Sequence, residues 1–210
     1  MGNRGAPKSP RPLSTWRGGR AVRTILVTGA LVLAVLAAAT TITAVRVDGV
    51  SMTPTLRDSE RVLLRPFSGG DTPARFAVIV TRFSSGPTVV KRVIGLPGDG
   101  VRIDTVEGVT TVEVQPGGQG PWLVVDNPAW TGSWGFVRCC RPDGQSGPAD
   151  PQVVPTGMLF LLGDNPAASQ DSRAFGWAPI EAIDGVVRWR LKAWVLPSGV
   201  HSHVQLRALS

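Results

Sequence analysis

Histidine is nearly missing from this 210-residue chain, and the two present, His201 and His203, stand in a polar segment behind Pro197, past the last run that reads as a strand. A serine–histidine pair is therefore not expected. Lysine is almost as scarce, with Lys8, Lys91 and Lys192 against 19 arginines. Cysteine is reduced to the neighbours Cys139 and Cys140, which cannot bridge each other without backbone strain and lack zinc spacing, so two thiols are expected. No acidic residue precedes Asp48. Six basic residues precede Ile25, and beyond the apolar run that follows 16 basic face 15 acidic ones, so the net charge of +7 belongs to the N-terminal tail. A near-neutral body without a basic stripe argues against nucleic acid as a partner.

One long apolar run is present. Ile25 to Val45 holds 21 residues without a charge, about 31 Å as a helix. Positive charge on its N-terminal side alone orients that end toward the cytoplasm and sends the body outside. A secretory signal cut after Ala37-Ala38-Ala39 is the alternative, but the run exceeds the usual apolar length of about 7–15 residues for such a signal. The expectation is a disordered basic cytoplasmic tail over 1–20 and a single transmembrane anchor over 21–46 in the plasma membrane. Val186 to Leu196 cannot be a second span, because Arg188, Arg190 and Lys192 interrupt it.

Beyond Asp48 the pattern is β. Short β-branched or alternating runs at 62–66, 76–83, 88–95, 101–106, 110–115, 122–126, 158–164 and 185–195 are separated by Gly, Pro and Asp turns, with no long amphipathic helix among them. A mainly β, barrel-like or two-sheet body is predicted. Residues 47–115 and 156–197 are expected to form the main β domain, 116–155 an inserted, loop-rich cap-like subdomain, and 198–210 a C-terminal tail. Trp130 and Trp134 in the insertion and Trp189 and Trp194 in the last run are candidates for the membrane interface, with core packing the expected role of the last two.

Three segments carry chemistry. In "VDGVSMTPTL" Ser51 sits between apolar residues just outside the long run. A turn serine or helix cap is the bland reading; a nucleophile needs a base, and with histidine excluded and carboxylates too weak, lysine remains. Lys91 lies in "TVVKRVIGLPGD", where alternation puts Val89, Lys91 and Val93 on one face and Val90, Arg92 and Ile94 on the other. In a chain that defaults to arginine, a lysine among β-branched carbon suits a task guanidinium cannot perform, the loss of a proton; an edge-strand lysine that discourages aggregation is the alternative. At Arg92, charge alone is expected to suffice, so lysine should substitute. The third segment, "GDNPAASQDSRAFG" at 163–176, sets a serine, Ser169, and an Asp171/Arg173 pair close together, either as a polar loop or as a brace for an amine.

These segments, in this order behind an apolar N-terminal run, resemble the boxes of bacterial type I signal peptidases, the leader peptidases of the Ser-Lys peptidase family S26. The resemblance covers about residues 20–196. It implies Ser51 as nucleophile, Lys91 as general base and later acid, and Ser169 as the hydroxyl that positions the amine. It further implies Asp171 with Arg173, and Asp164 with Arg92, as ion pairs around the site, and Met52 as a buried anchor. Gly49 stands where some members have an oxyanion-binding hydroxyl, which leaves the Ser51 N–H and another donor. Pro166 stands where the family usually has arginine, and Val50 replaces a commonly polar neighbour. The implied substrates are secretory preproteins, held as an added strand and cut after Ala-x-Ala, with the lipid bilayer as the other partner and no metal or cofactor. A self-cleaving repressor-type Ser-Lys peptidase and a non-enzymatic membrane-anchored β module are the competing readings.

Overall fold

The computed structural model describes residues 2, 18–40, 43–68, 70–84, 86–130, 134, 151–191, 197–200 and 203–208, without the side chains of Arg20, Val106 and residues 34–40. Cys139, Cys140, Trp194, Lys192 and His201 lie outside them. The chain divides into two units, Met1–Thr40 and Thr41–Ser210.

The first unit contains α1 (Gly18–Thr40). Its side chains Ile25, Leu26, Val27, Leu31, Val32 and Leu33 are exposed. Among the described residues no helix is long and apolar enough to cross a membrane. The apolar run also does not stay helical to Val45: Thr43–Arg46 is a strand, β1, paired antiparallel with β2 (Arg61–Pro66). The tail of the run, "TTIT", is β-branched at every position, which disfavours helix and suits a strand.

The second unit is mainly β. Its first sheet has the order β1-β2-β11-β3-β4-β9-β10, with β3 (Val78–Arg82), β4 (Thr88–Gly95), β9 (Met158–Leu162), β10 (Ala178–Pro179) and β11 (Ile183–Leu191), and β12 (Ser198–Gly199) pairs with β11. Register shifts at Val187/Trp189, Ile183/Gly185 and Val93/Gly95 are bulges that curl the sheet. The second sheet runs β13-β7-β6-β5-β8, from β5 (Gly100–Val106), β6 (Val109–Gln115), β7 (Leu123–Asp126), β8 (Gln152–Val153) and β13 (Gln205–Ala208). Part of the segment read as a tail is thus an edge strand: Gln205 faces Asp126 and Ala208 faces Leu123.

The chain passes from the first sheet to the second between β4 and β5. A Cβ on Gly95 would lie 2.8 Å from Val101 Cγ2 and 3.0 Å from Phe160 Cβ, so only glycine fits that crossing. The turn after it is held by Asp99, which accepts from Leu96 N (2.6 Å) and Gly117 N (2.9 Å) and pairs with Arg75 (2.6 Å). Ile94, Phe160 and Leu162 from the first sheet pack with Val101, Ile103, Val112 and Val114 from the second. Val93, Leu159 and Leu161 point into a separate cluster with Ile79 and Val186. The period-two pattern of 88–95 therefore sends Val89 and Val93 to one core and Val90 and Ile94 to two others, and both sides of β4 are covered from Lys91 onward. The tryptophans reverse their expected roles: Trp134 is buried in the core between the sheets, while Trp189 stays 38% exposed beside a bulge in β11.

Candidate active site

Ser51 sits at a change of direction imposed by its neighbours. Val50 is exposed, while Met52 and Leu56, one helical turn apart, are buried in one cluster, and Leu56 N donates to Met52 O (2.9 Å). Burying Met52 leaves the adjacent hydroxyl at the surface of the sheet. Gly49 has φ +97°, a conformation other residues seldom adopt, and its N–H donates to Asp58 Oδ1 (2.6 Å). The Asp58 carboxyl is held below the usual carboxylate range chiefly by that N–H, aided by the Ser59 hydroxyl. Behind the serine, Asn165 N donates to Ser51 O (2.9 Å) and Asn165 Nδ2 to Val50 O (3.2 Å).

Lys91 lies opposite Ile79 in the β3–β4 ladder and is only 3% exposed. Its Nζ donates to Val90 O (3.0 Å) and is in hydrogen-bond contact with Ser51 Oγ at 2.8 Å. Burial pushes the amine down from its ordinary value of 10.5; the Asp171 carboxylate opposes that shift and Arg173 adds to it. Desolvation leads because a charged ammonium loses its water and Asp171 is already engaged by Arg173 at 2.7 Å.

The loop after β9 supports this pair. Asp171 caps α2 (Ser172–Phe175) by accepting from Arg173 N, and its other oxygen accepts from Gly163 N (3.0 Å). Ser172 Oγ accepts from Leu161 N (2.8 Å), which ties the helix to β9. Arg173 also donates to Pro166 O (2.8 Å) and Ser169 O (3.1 Å). Pro166 is buried, so the position takes its cation contact through the backbone. A Cβ on Gly163 would stand 2.3 Å from Ser169 Oγ and 2.5 Å from Ser51 O, so the loop and the serine turn approach each other through a glycine. Ser169 Oγ is buried beside that glycine without a hydrogen-bond partner and is not bonded to Lys91.

On the opposite face of β4, Arg92 is fully buried against Asp164, Nε to Oδ1 at 2.7 Å and a terminal nitrogen to Oδ2 at 2.5 Å. Asp164 also accepts from Thr55 Oγ1 and from Asn127 Nδ2 (3.1 Å), and Arg92 donates to Phe76 O (2.8 Å). The expectation that charge alone suffices at Arg92 is corrected: a planar fork spans both carboxylate oxygens and a carbonyl, which an ammonium cannot do.

The structure thus brings Ser51, Lys91, Asp171 and Arg173 to one side and Arg92 with Asp164 to the other. Sequence reasoning missed Thr55, Asn127, Asn165 and the Arg75–Asp99 pair. The first three lie next to prolines and read as turn residues, so nothing local marked them as partners of groups far along the chain. Trp130 was missed as well, and its Nε1 donates to Gly163 O (3.1 Å). Among the described residues no group of three His, Cys, Asp or Glu side chains converges as a metal site.

A serine hydroxyl against a buried, deprotonation-prone amine on a β scaffold fits the serine hydrolases. A family model for signal peptidase, peptidase S26, matches residues 20–194. Signal peptidase IB of Staphylococcus aureus strain N315 is 33% identical over 156 residues, 71% of this chain and 77% of that protein. Signal peptidase I of Bacillus caldolyticus is 33% identical over 155 residues, 69% of this chain and 76% of that protein. A crystal structure of a signal peptidase I from Enterococcus faecalis V583 is similar over 55% of this chain and 97% of that one, at 26% identity and a TM-score of 0.39. The chain belongs to the S26 signal peptidase family and is a serine hydrolase.

Proposed function

We propose that this protein is a membrane-anchored endopeptidase that removes N-terminal signal peptides from exported preproteins by a Ser51–Lys91 dyad. The observation that carries the reading is the 2.8 Å contact between a buried Lys91 amine, pushed toward its neutral form, and the Ser51 hydroxyl. Neutral Lys91 accepts the Ser51 proton as Oγ attacks the scissile carbonyl, and the ammonium so formed protonates the departing amine. A water activated by the same amine then releases the acyl group. The Ser51 N–H, next to a Gly49–Val50 segment braced by Asp58 and Asn165, is the donor available to the oxyanion. Small residues at the −3 and −1 positions of an extended substrate point the same way and suit an Ala-x-Ala preference.

Anchoring rests on the sequence of α1, whose side chains over 34–40 lie outside the described residues. Thr24 to Thr40 is free of charge and extends about 26 Å, at the short end of spanning length. Arg20 and Arg23 at its base hold the N-terminus in the cytoplasm and direct residues beyond Thr40 outward. This tethers the site near the substrate's own apolar segment, which raises effective concentration without a further contact.

The test is incubation of the purified protein in detergent with a preprotein bearing an Ala-x-Ala site, with the products read by mass. A single cut after the second alanine, lost in Ser51→Ala, is expected. Equal turnover by Ser51→Ala would remove Ser51 as nucleophile.

A further inference from the structure

A cavity of about 320 Å³ opens on the side of β4 away from Lys91, lined by Thr55, Arg92, Asn127, Arg190, His203 and Val204 among others. Among the described residues its lining contains two guanidinium groups and an imidazole and no carboxylate. Arg92 is committed to Asp164. Arg190 is not committed in this way: one terminal nitrogen donates to Thr55 O (3.2 Å), its Nε is buried without a partner, and among the described residues it forms no ion pair. On its other side Arg190 also lines a second depression, together with Asp58 and Glu60. There Asp58 is engaged by Gly49 N and the Ser59 hydroxyl, and Glu60 by Arg57 N. A half-buried guanidinium lacking a carboxylate has donors to spare, and its planar fork matches a phosphate oxygen pair. The volume lies at the lower end of the range of about 300–1,000 Å³ for small-molecule sites.

We propose that this cavity binds a small phosphate-bearing ligand, held by Arg190 with His203. The shared chemistry is a phosphate monoester or diester, supplied either as free phosphate or as a phosphoglycerol headgroup. Thr55 links the cavity to the hydrolase site, because its carbonyl accepts from Arg190 and its hydroxyl donates to Asp164 at the start of the loop that carries Ser169. The site stands on the cavity alone and does not depend on the peptidase reading.

Isothermal titration of the full chain in a non-ionic, phosphate-free detergent tests it, with inorganic phosphate and glycerol 3-phosphate as ligands and ionic strength held by sodium chloride. Saturable one-to-one binding is expected, weakened about tenfold or more by Arg190→Gln, the size of a lost charged hydrogen bond, and partly restored by Arg190→Lys. Equal affinities assign the site to free phosphate. Tighter glycerol 3-phosphate binding, with competition by phosphatidylglycerol vesicles, assigns it to a headgroup. Circular dichroism reports whether Arg190→Gln folds; if it does not, His203→Gln on the cavity lining carries the same comparison. Absence of saturable binding by either ligand, or binding unchanged in the folded variant, overturns the proposal.

Discussion

A lysine at 3% exposure works against the fold that holds it, since the folded state favours the neutral amine while the unfolded chain keeps it charged. The folded amine titrates below 10.5, so between its lowered value and 10.5 the unfolded state binds the extra proton and stability rises with pH. Below that window the destabilisation is fully present. Lys91→Met, which keeps the length and removes the charge, should therefore be at least as stable as wild type at neutral pH and lack the pH-dependent gain; urea titrations across pH check this. Its activity should fall at least about 10²-fold, as for a lost general base. Lys91→Arg should be equally inactive, because guanidinium does not deprotonate. A peptidase assay finding Lys91→Arg active would return the lysine to a charge-bearing role. Arg92 shows the opposite case. Arg92→Lys should lower stability by about 1–3 kcal/mol through loss of the forked contacts, measured by urea denaturation.

At the level of elements, the contact between the serine turn and the loop after β9 runs through Gly163. Gly163→Ala places a methyl group 2.5 Å from the Ser51 carbonyl and 2.3 Å from Ser169 Oγ. Activity should collapse while the strands persist, with circular dichroism and cleavage measured on the same sample. Ser169→Gly in the same chain should not restore it, since the backbone oxygen remains in the way; full restoration would show that the serine side chain was the only obstacle. The alternation of 88–95 was legible because period two is a local property: Val89 and Val93 share one cluster, while Val90 and Ile94 face others. The end of α1 was less legible. A run of uncharged residues measures hydrophobicity, and hydrophobicity alone does not distinguish a helix from the strand that begins at Thr43.

For the whole molecule, the asymmetry of charge around α1 predicts a topology. Protease added outside spheroplasts should digest the body and spare a tag at the N-terminus, read by immunoblot; protection of the body would invert the orientation. The C-terminal segment is also part of the body. Ending the chain after Val200 removes β13 and with it Val204, buried in the core between the sheets, and the partly buried Leu206. Urea denaturation should show a loss of about 2 kcal/mol or more, from the apolar area returned to water. An unchanged midpoint would make the strand dispensable.

What the sequence by itself determined is inventory and local pattern: too little histidine for a Ser-His pair, a lysine where arginine is the habit, and short alternating runs with the period of strands. Those follow from side-chain chemistry and from spacing within a few residues. Only the tertiary structure decided that Thr55 and Asn127, far apart in the chain, complete the shell around the Arg92–Asp164 pair that the family resemblance implied. It likewise decided that Gln205–Ala208 closes a second sheet and that Trp134 rather than Trp189 is buried. Partner choice at such distances depends on which strands come to lie side by side, and a carboxylate, a threonine or a tryptophan looks the same in sequence whether or not its partner arrives.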